Sequence, residues 1–276
     1  MKRNRSQLKI FLLTFLIVFV LSFSPLGAFS LSTTDVQAQA DDTWVYPETL
    51  TSGEHYNCAI KRNGSLICWG RNHEDQATPP AGQFTQISAG ENHTCALKNN
   101  GSIACWGRDD LDQLSDPAGS FLQVSSGGYH SCAIRTNGNL VCWGWDYYDQ
   151  SSPPEGTFIQ ITTGVGFSCG IKSDGTLDCW GKTLYDASTP PAGTFVQIAS
   201  GESHTCGIKT DGTVACWGWN NAGQSDPPAG TFTQIRAGDY NSCGIKTDGT
   251  LACWGSDTYG QSDPPTGTFI SLTTAL

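Results

Sequence analysis

From residue 84 onward the apolar and polar positions alternate as they do in short strands. "FTQISAG" (residues 84–90) places Phe84 on one face and Ile87 on the other, as in a strand covered on both sides. The segment returns as "FLQVSSG", "FIQITTG", "FVQIASG" and "FTQIRAG". In the unit 84–120, the short loop Glu91-Asn92 follows, and then "HTCALK" and "SIACWG" flank "NNG". Two such runs around an Asn-Gly or Asp-Gly loop predict a β-hairpin, with glycine supplying positive φ at the end of a three-residue loop. Each unit therefore holds three strands.

The unit recurs every 37 residues without insertion or deletion. Cys58, Cys95, Cys132, Cys169, Cys206 and Cys243 form one series, and Cys68, Cys105, Cys142, Cys179, Cys216 and Cys253 the other. Trp69, Trp106, Trp143, Trp180, Trp217 and Trp254 each follow a cysteine of the second series. A fixed period of this size marks a repeat architecture. Three strands cannot cover their own faces, so each unit must stack on its neighbours. The tryptophan series is expected to fill the core between units. Ala59, Ala96, Ala133, Gly170, Gly207 and Gly244 are expected to leave room for the neighbour's large groups. Asp178 stands where the other repeats have Ala, Val or Ile, and is expected at a wet edge.

The hairpin register assigns the cysteines. If Lys98 and Ser102 close the loop, Leu97 faces Ile103, Ala96 faces Ala104, and Cys95 faces Cys105 as a non-hydrogen-bonded pair. The α-carbons of such a pair lie about 4.5–5.5 Å apart, within disulfide range. Six disulfides follow, one inside each repeat, each worth at most about 3 kcal/mol in the chain-entropy model. Zinc sites favour cysteines two to four apart, and there is no such pairing here. Nothing sets one pair apart as a redox site.

The first 40 residues keep a different pattern. Lys2, Arg3, Arg5 and Lys9 precede the apolar run "IFLLTFLIVFVLSF", and Ala38-Gln39-Ala40 is a small-x-small cleavage site. Residues 1–40 thus read as a secretory signal peptide, with a retained anchor as the alternative. Residues 41–276 then carry 11 basic and 24 acidic residues, a net charge of −13. Such a chain repels phosphate backbones, so no nucleic-acid partner is expected. Export into an oxidising compartment agrees with the even cysteine count.

The motif "GxxHTCAL…NGxxxCWG…GQ" resembles the repeat of the regulator of chromosome condensation family over residues 47–276. The short period and the leader look more like its bacterial branch, which includes β-lactamase inhibitor protein II. The resemblance implies an all-β propeller. Six full repeats are followed by "TFISLTTAL", read as a C-terminal strand that closes the ring against the first repeat. An incomplete seven-bladed ring is the alternative. The opening "PETLTSG" departs from the pattern, with Pro47 where the others have Phe. "GQ" is intact only at Gly223-Gln224 and Gly260-Gln261, and is Asp186-Ala187 in the fourth repeat.

Alternating strands put the loop after the first strand and the loop after Trp-Gly on one rim, and these loops differ between repeats. A constant scaffold with variable loops is how binding surfaces are built. Trp145, Tyr147, Tyr148, Tyr185, Trp219 and Tyr259 come from one loop set, and Tyr129 and Tyr240 from the other. They are expected to form a contiguous arc, either as anchors for a protein partner, as platforms for sugar rings, or as rim packing. Neither a catalytic motif nor a metal or cofactor site is read from the chain. His93, His130 and His204 share a repeat position with Tyr56, Phe167 and Asn241, which suits packing better than acid–base work. The expectation is a secreted, monomeric, non-enzymatic module. It is expected to bind an extracellular protein, with inhibition of an extracellular enzyme as the form that the bacterial branch implies, or else a surface glycan. Nucleotide exchange, the activity of the nuclear namesake, fits poorly with an exported acidic chain.

Overall fold

The computed structural model describes residues 49–182 and 184–273, and the expected leader lies outside them. Six antiparallel sheets of three strands follow one another along the chain. The first comprises Leu50–Gly53, Tyr56–Ile60 and Leu66–Gly70, and the second Phe84–Ala89, His93–Lys98 and Ile103–Gly107. The remaining four repeat this plan, ending with Phe232–Ala237, Asn241–Lys246 and Leu251–Gly255. Their first strands line a shared channel of ≈ 150 Å³, so the sheets stand round an axis as propeller blades do.

The hairpin register is the expected one. Lys98 N–H donates to Ser102 O at 2.8 Å, and Leu97, Ala96 and Cys95 face Ile103, Ala104 and Cys105. All six intra-repeat disulfides form, with α-carbons 4.0–4.1 Å apart. Asp178 pairs with Lys172 at 2.5 Å at a half-exposed edge.

Each sheet packs its large groups on the one before. Phe84, Ile87 and Trp106 of the second repeat bury against Tyr56 and Cys58 of the first. Burying one such side chain contributes roughly 1.5–3 kcal/mol. The role of the small residues needs correction. A Cβ on Gly170 would lie 2.6 Å from Phe158, and one on Gly207 2.7 Å from Phe195. The large group is thus the first-strand phenylalanine of the same sheet, not a neighbour's.

Glutamines in the first strands tie adjacent sheets together. Gln86 Nε2 donates to Val124 O at 3.1 Å, while Val124 N–H donates to Gln86 Oε1 at 3.0 Å. Gln123 and Gln160 make the same pair of hydrogen bonds, one donated and one accepted, with Ile161 and Ile198. Each buried amide bond adds about 1 kcal/mol and fixes the stagger of neighbouring blades.

Two expectations fail at the ends of the array. The closing strand does not form among the described residues: 268–273 carry no strand, and Ile270 is 97% exposed. Trp69 is 48% exposed, whereas Trp106, Trp143, Trp217 and Trp254 are each 7% exposed. The cause is shared. A repeat's tryptophan buries against the preceding sheet, and among the described residues the first and sixth sheets are not packed together as successive sheets are.

Candidate functional site

One rim gathers the variable loops. In every repeat the loop after the third strand bonds to the loop after the first, as in Trp145 N–H to Tyr129 O, Trp219 N–H to Ser203 O and Ser256 N–H to Tyr240 O. The Asn-Gly and Asp-Gly turns lie at the other ends of the strands. There the carboxylates of Asp174, Asp211 and Asp248 accept bonds from the threonine two residues on, which accounts for them as turn residues.

The aromatic residues form two groups rather than one arc. Trp145 stacks on Tyr147 (6.2 Å, 11°) and meets Tyr129 and Tyr148 edge-on at 5.7 and 5.3 Å. Trp219 lies 5.8 Å from Tyr185 at 28° and 5.3 Å from Tyr240 at 74°. No ring pair among the described residues links the two groups. Tyr259 stands apart, 92% exposed. Lys182 Nζ sits 5.4 Å above Tyr148, and Arg108 sits 5.9 Å from Tyr129.

Between the groups opens an axial mouth of ≈ 360 Å³, lined by Glu54, Glu91, Glu202 and Asp239 together with Gly128 and Val165. These six residues occupy one repeat position, just after the first strand. Burial, and then the charges of Glu202, Glu91 and Glu54, push the Asp239 carboxyl up to about 6. Burial likewise raises Glu91. A hydrogen bond to Glu91 and then burial push the Tyr129 phenol up to about 12, and Tyr240 is raised chiefly by its hydrogen bond to Glu202. The aromatic groups are thus wired to the acidic mouth. Sequence reading missed this mouth, although acids in four of six repeats at one position were its visible signal.

The histidines belong to the packing. His93, His130 and His204 are buried, and their Nε2 atoms share hydrogen bonds of 2.9, 2.8 and 2.8 Å with Ser131, Ser168 and Ser242 of the next repeat.

Ala187 shapes the second aromatic group. In five repeats a glutamine Oε1 accepts the N–H two residues upstream, as in Glu74 to Gln76 (2.9 Å) and Tyr148 to Gln150 (2.8 Å). Ala187 cannot. Its loop instead forms a short 3-10 turn, Leu184–Asp186, with Tyr185 at φ 59°, ψ 24°. That left-handed conformation costs a non-glycine residue roughly 1–2 kcal/mol, and it lays the Tyr185 ring over Trp219, whose buried Nε1 has no hydrogen-bond partner among the described residues. Ala187→Gln is expected to capture the Tyr185 N–H, draw its ring off Trp219 and raise stability by about 1 kcal/mol. Trp219 fluorescence and near-UV circular dichroism, read beside thermal melts, check this. An unchanged Trp219 signal would show that the missing glutamine does not set the stack.

The model of the regulator of chromosome condensation (RCC1) repeat matches residues 84–113, 121–150, 195–224 and 232–261. The two repeats without a match are those that depart at Pro47 and at Asp178 and Ala187. No curated protein matches the chain. The ectodomain of the receptor kinase CR4 from Physcomitrella patens is 30% identical, with a TM-score of 0.64 over 75% of this chain and 61% of that one. The chain therefore spans less than two thirds of that ectodomain. The CRINKLY WD40 ectodomain of the receptor kinase ACR4 from Arabidopsis thaliana is 27% identical, with a TM-score of 0.65 over 83% of this chain and 87% of that one. Prp20p from Saccharomyces cerevisiae, whose binding properties to Gsp1p and histones accompany its structure, is 15% identical with a TM-score of 0.65 over 77% and 72%, a likeness of fold alone. Four of the chain's six repeats are thus regulator of chromosome condensation repeats, and its six three-stranded sheets share the fold of that family's propellers.

Proposed function

We propose that this propeller is an extracellular protein-binding module whose partner seats on the loop rim and presents basic residues to the acidic mouth. The observation that carries the reading is the placement of two aromatic groups, around Trp145 and Trp219, on either side of four carboxylates on one rim. Exposed tyrosines and tryptophans supply large, rigid contact area, and the carboxylates favour a cationic partner and repel an anionic one. The six disulfides and the likeness to two receptor ectodomains support an extracellular setting. Capping the active site of an extracellular enzyme is one form such binding takes.

Trp145→Ala and Trp219→Ala are each expected to weaken the complex by about 2 kcal/mol, roughly thirty-fold. Both should leave the fold intact, because neither residue belongs to the tryptophan series between sheets. Capture of extracellular proteins by the immobilised module, run beside a glycan array, identifies the ligand class. Retention of sugars and of no protein would replace the reading with a lectin. Equal loss of stability and binding in both variants would reduce the aromatic groups to rim packing.

A further inference from the structure

Residues 268–273 follow the path of a seventh first strand. Phe269 N–H donates to Gly249 O at 2.8 Å, as Phe232 N–H donates to Gly212 O at 2.9 Å. A Cβ on Gly249 would lie 3.3 Å from Thr268 Cβ, as one on Gly212 would lie 3.1 Å from Thr231 Cβ. Thr273 lines the axial channel beside the six first strands, at the position of Arg236 in the sixth repeat. The order round the channel puts this segment between the sixth sheet and the first. In every sheet the hairpin pairs with an edge of the first strand. No hairpin pairs with 268–273 among the described residues, and the segment carries no strand.

Both walls of this gap are unfinished. On one wall, Gln86, Gln123, Gln160 and Gln197 each accept the N–H of the residue 38 places on, but Gln234 Oε1 is buried and accepts no hydrogen bond. Its counterpart would be Leu272 N–H. Phe269 and Leu272 are only half-buried, whereas Phe232 and Ile235 in the same places are 3% and 0% exposed. On the other wall, Leu50 and Trp69 are 41% and 48% exposed, whereas their equivalents Ile87 and Trp106 are 2% and 7% exposed. Ile67, 44% exposed, lies on the same face. Trp106 N–H reaches Gln76 O of the preceding repeat at 3.0 Å, and Trp69 N–H reaches no such carbonyl among the described residues.

The complete seams define what fits between these walls. Between the fifth and sixth sheets, Ile235 and Trp254 pack on Cys206 and Ile208, with Val214 and Cys216 beside them. Cys206 and Ile208 come from the second strand of their sheet, and Val214 and Cys216 from the third, so a single added strand would not cover the wall. We propose that the gap docks a β-hairpin of a partner protein, which pairs with the edge of 268–273 and lays an aliphatic face on Leu50, Ile67 and Trp69. Main-chain pairing at the open edge supplies affinity, and the alternating side chains supply selectivity. Seating the hairpin draws Leu272 N–H onto Gln234 Oε1 and brings a carbonyl to Trp69 N–H. The proposal does not rest on the aromatic rim.

The probe is the chain's own hairpin, a peptide of residues 203–226 with Cys206 and Cys216 joined, which carries the Gln224 carbonyl that serves Trp254. Added to the intact protein, it is expected to slow amide exchange at 270–273 and hydroxyl-radical labelling of Trp69, and to leave labelling of Trp145 unchanged. Ile67→Lys in the protein, or Ile208→Ser with Val214→Ser in the peptide, is expected to weaken binding at least about ten-fold, the loss that removing one buried aliphatic contact brings. Ile67 is exposed, so its substitution leaves the fold intact, and the peptide variant makes the comparison on the unaltered protein. No slowing at either place at about 1 mM peptide would overturn the slot, as would slowing at Trp145 alone. Equal binding by the serine peptide would overturn the aliphatic face. Slow labelling of Trp69 before any peptide is added would overturn the proposal outright: with a monomer mass in solution the chain covers the face itself, and with a dimer mass a second copy does.

Discussion

Acidification from pH 6.5 to 4 should strip most of the stability from this propeller. Burial lowers the pKa of His93 to about 4, of His130 to about 3 and of His204 to about 4, with the charge of His93 adding to the effect at His130. Unfolded histidine titrates near 6.5. The unfolded chain therefore binds protons first as the pH falls. The stability held by the neutral rings is complete above pH 6.5 and is lost as the pH falls towards the folded values. Each histidine contributes a slope of about 1.4 kcal/mol per pH unit in this window, roughly 4 kcal/mol per unit for three. Asp239 opposes them. Its folded pKa is raised to about 6, so its protonation below pH 6 favours the folded state, and Glu91 acts in the same direction. Two carboxyls offset only part of three histidines, and domains of ordinary stability have only about 5–15 kcal/mol to lose. Chemical denaturation at pH 4, 5, 6 and 7 measures the slope. His130→Phe, which installs the residue the fourth repeat uses at this position, should flatten it by about one third. A flat profile in the unaltered protein would mean that these rings are not buried as neutral groups.

Gly201→Ala should cost about 3 kcal/mol or more, near the upper end for a single added methyl. Gly201 ends a first strand at the mouth, where an added Cβ would lie 1.9 Å from Gly238 O of the next repeat and 2.8 Å from His204 Cε1. Gly90 and Gly127 stand in the same relation to Gly127 O and Gly164 O, each at 2.1 Å. The obstacle is backbone, which cannot rotate aside as a side chain can. The comparison is Gly260→Ala. That glycine has φ +77° and nothing within 4 Å of an added Cβ, so only the left-handed conformation is penalised, by about 1–2 kcal/mol. Thermal melts of the two variants separate the effects. Equal, small losses would show that adjacent blades can spread at the mouth.

Much of the fold was legible because its determinants are local and repeated. The Asn-Gly and Asp-Gly turns fix the hairpin register, the register opposes Cys95 to Cys105, and the 37-residue period carries the result through all six repeats. The glutamines of "FTQISAG" were plainly visible, but their work was not, because their partners lie 38 residues on in a neighbouring sheet. The candidate site was half legible. The aromatic residues could be placed on one rim by topology alone, yet their division into two groups depends on Ala187, whose missing side chain acts two residues upstream through a loop backbone.

What the sequence by itself determined is the blade: three strands, their register, their disulfide and the side chains each face offers. These depend on contacts within a few dozen residues, and every repeat states them afresh. What only the tertiary structure decided is how the blades meet. It brought the carboxylates of the first, second, fifth and sixth repeats to one mouth, where Glu202, Glu91 and Glu54 raise the proton affinity of Asp239. It also left Trp69 exposed while its sequence equivalents are buried. A repeat motif reads the same at the end of an array as in its middle, but burial depends on having a neighbour, and among the described residues no sheet precedes the first.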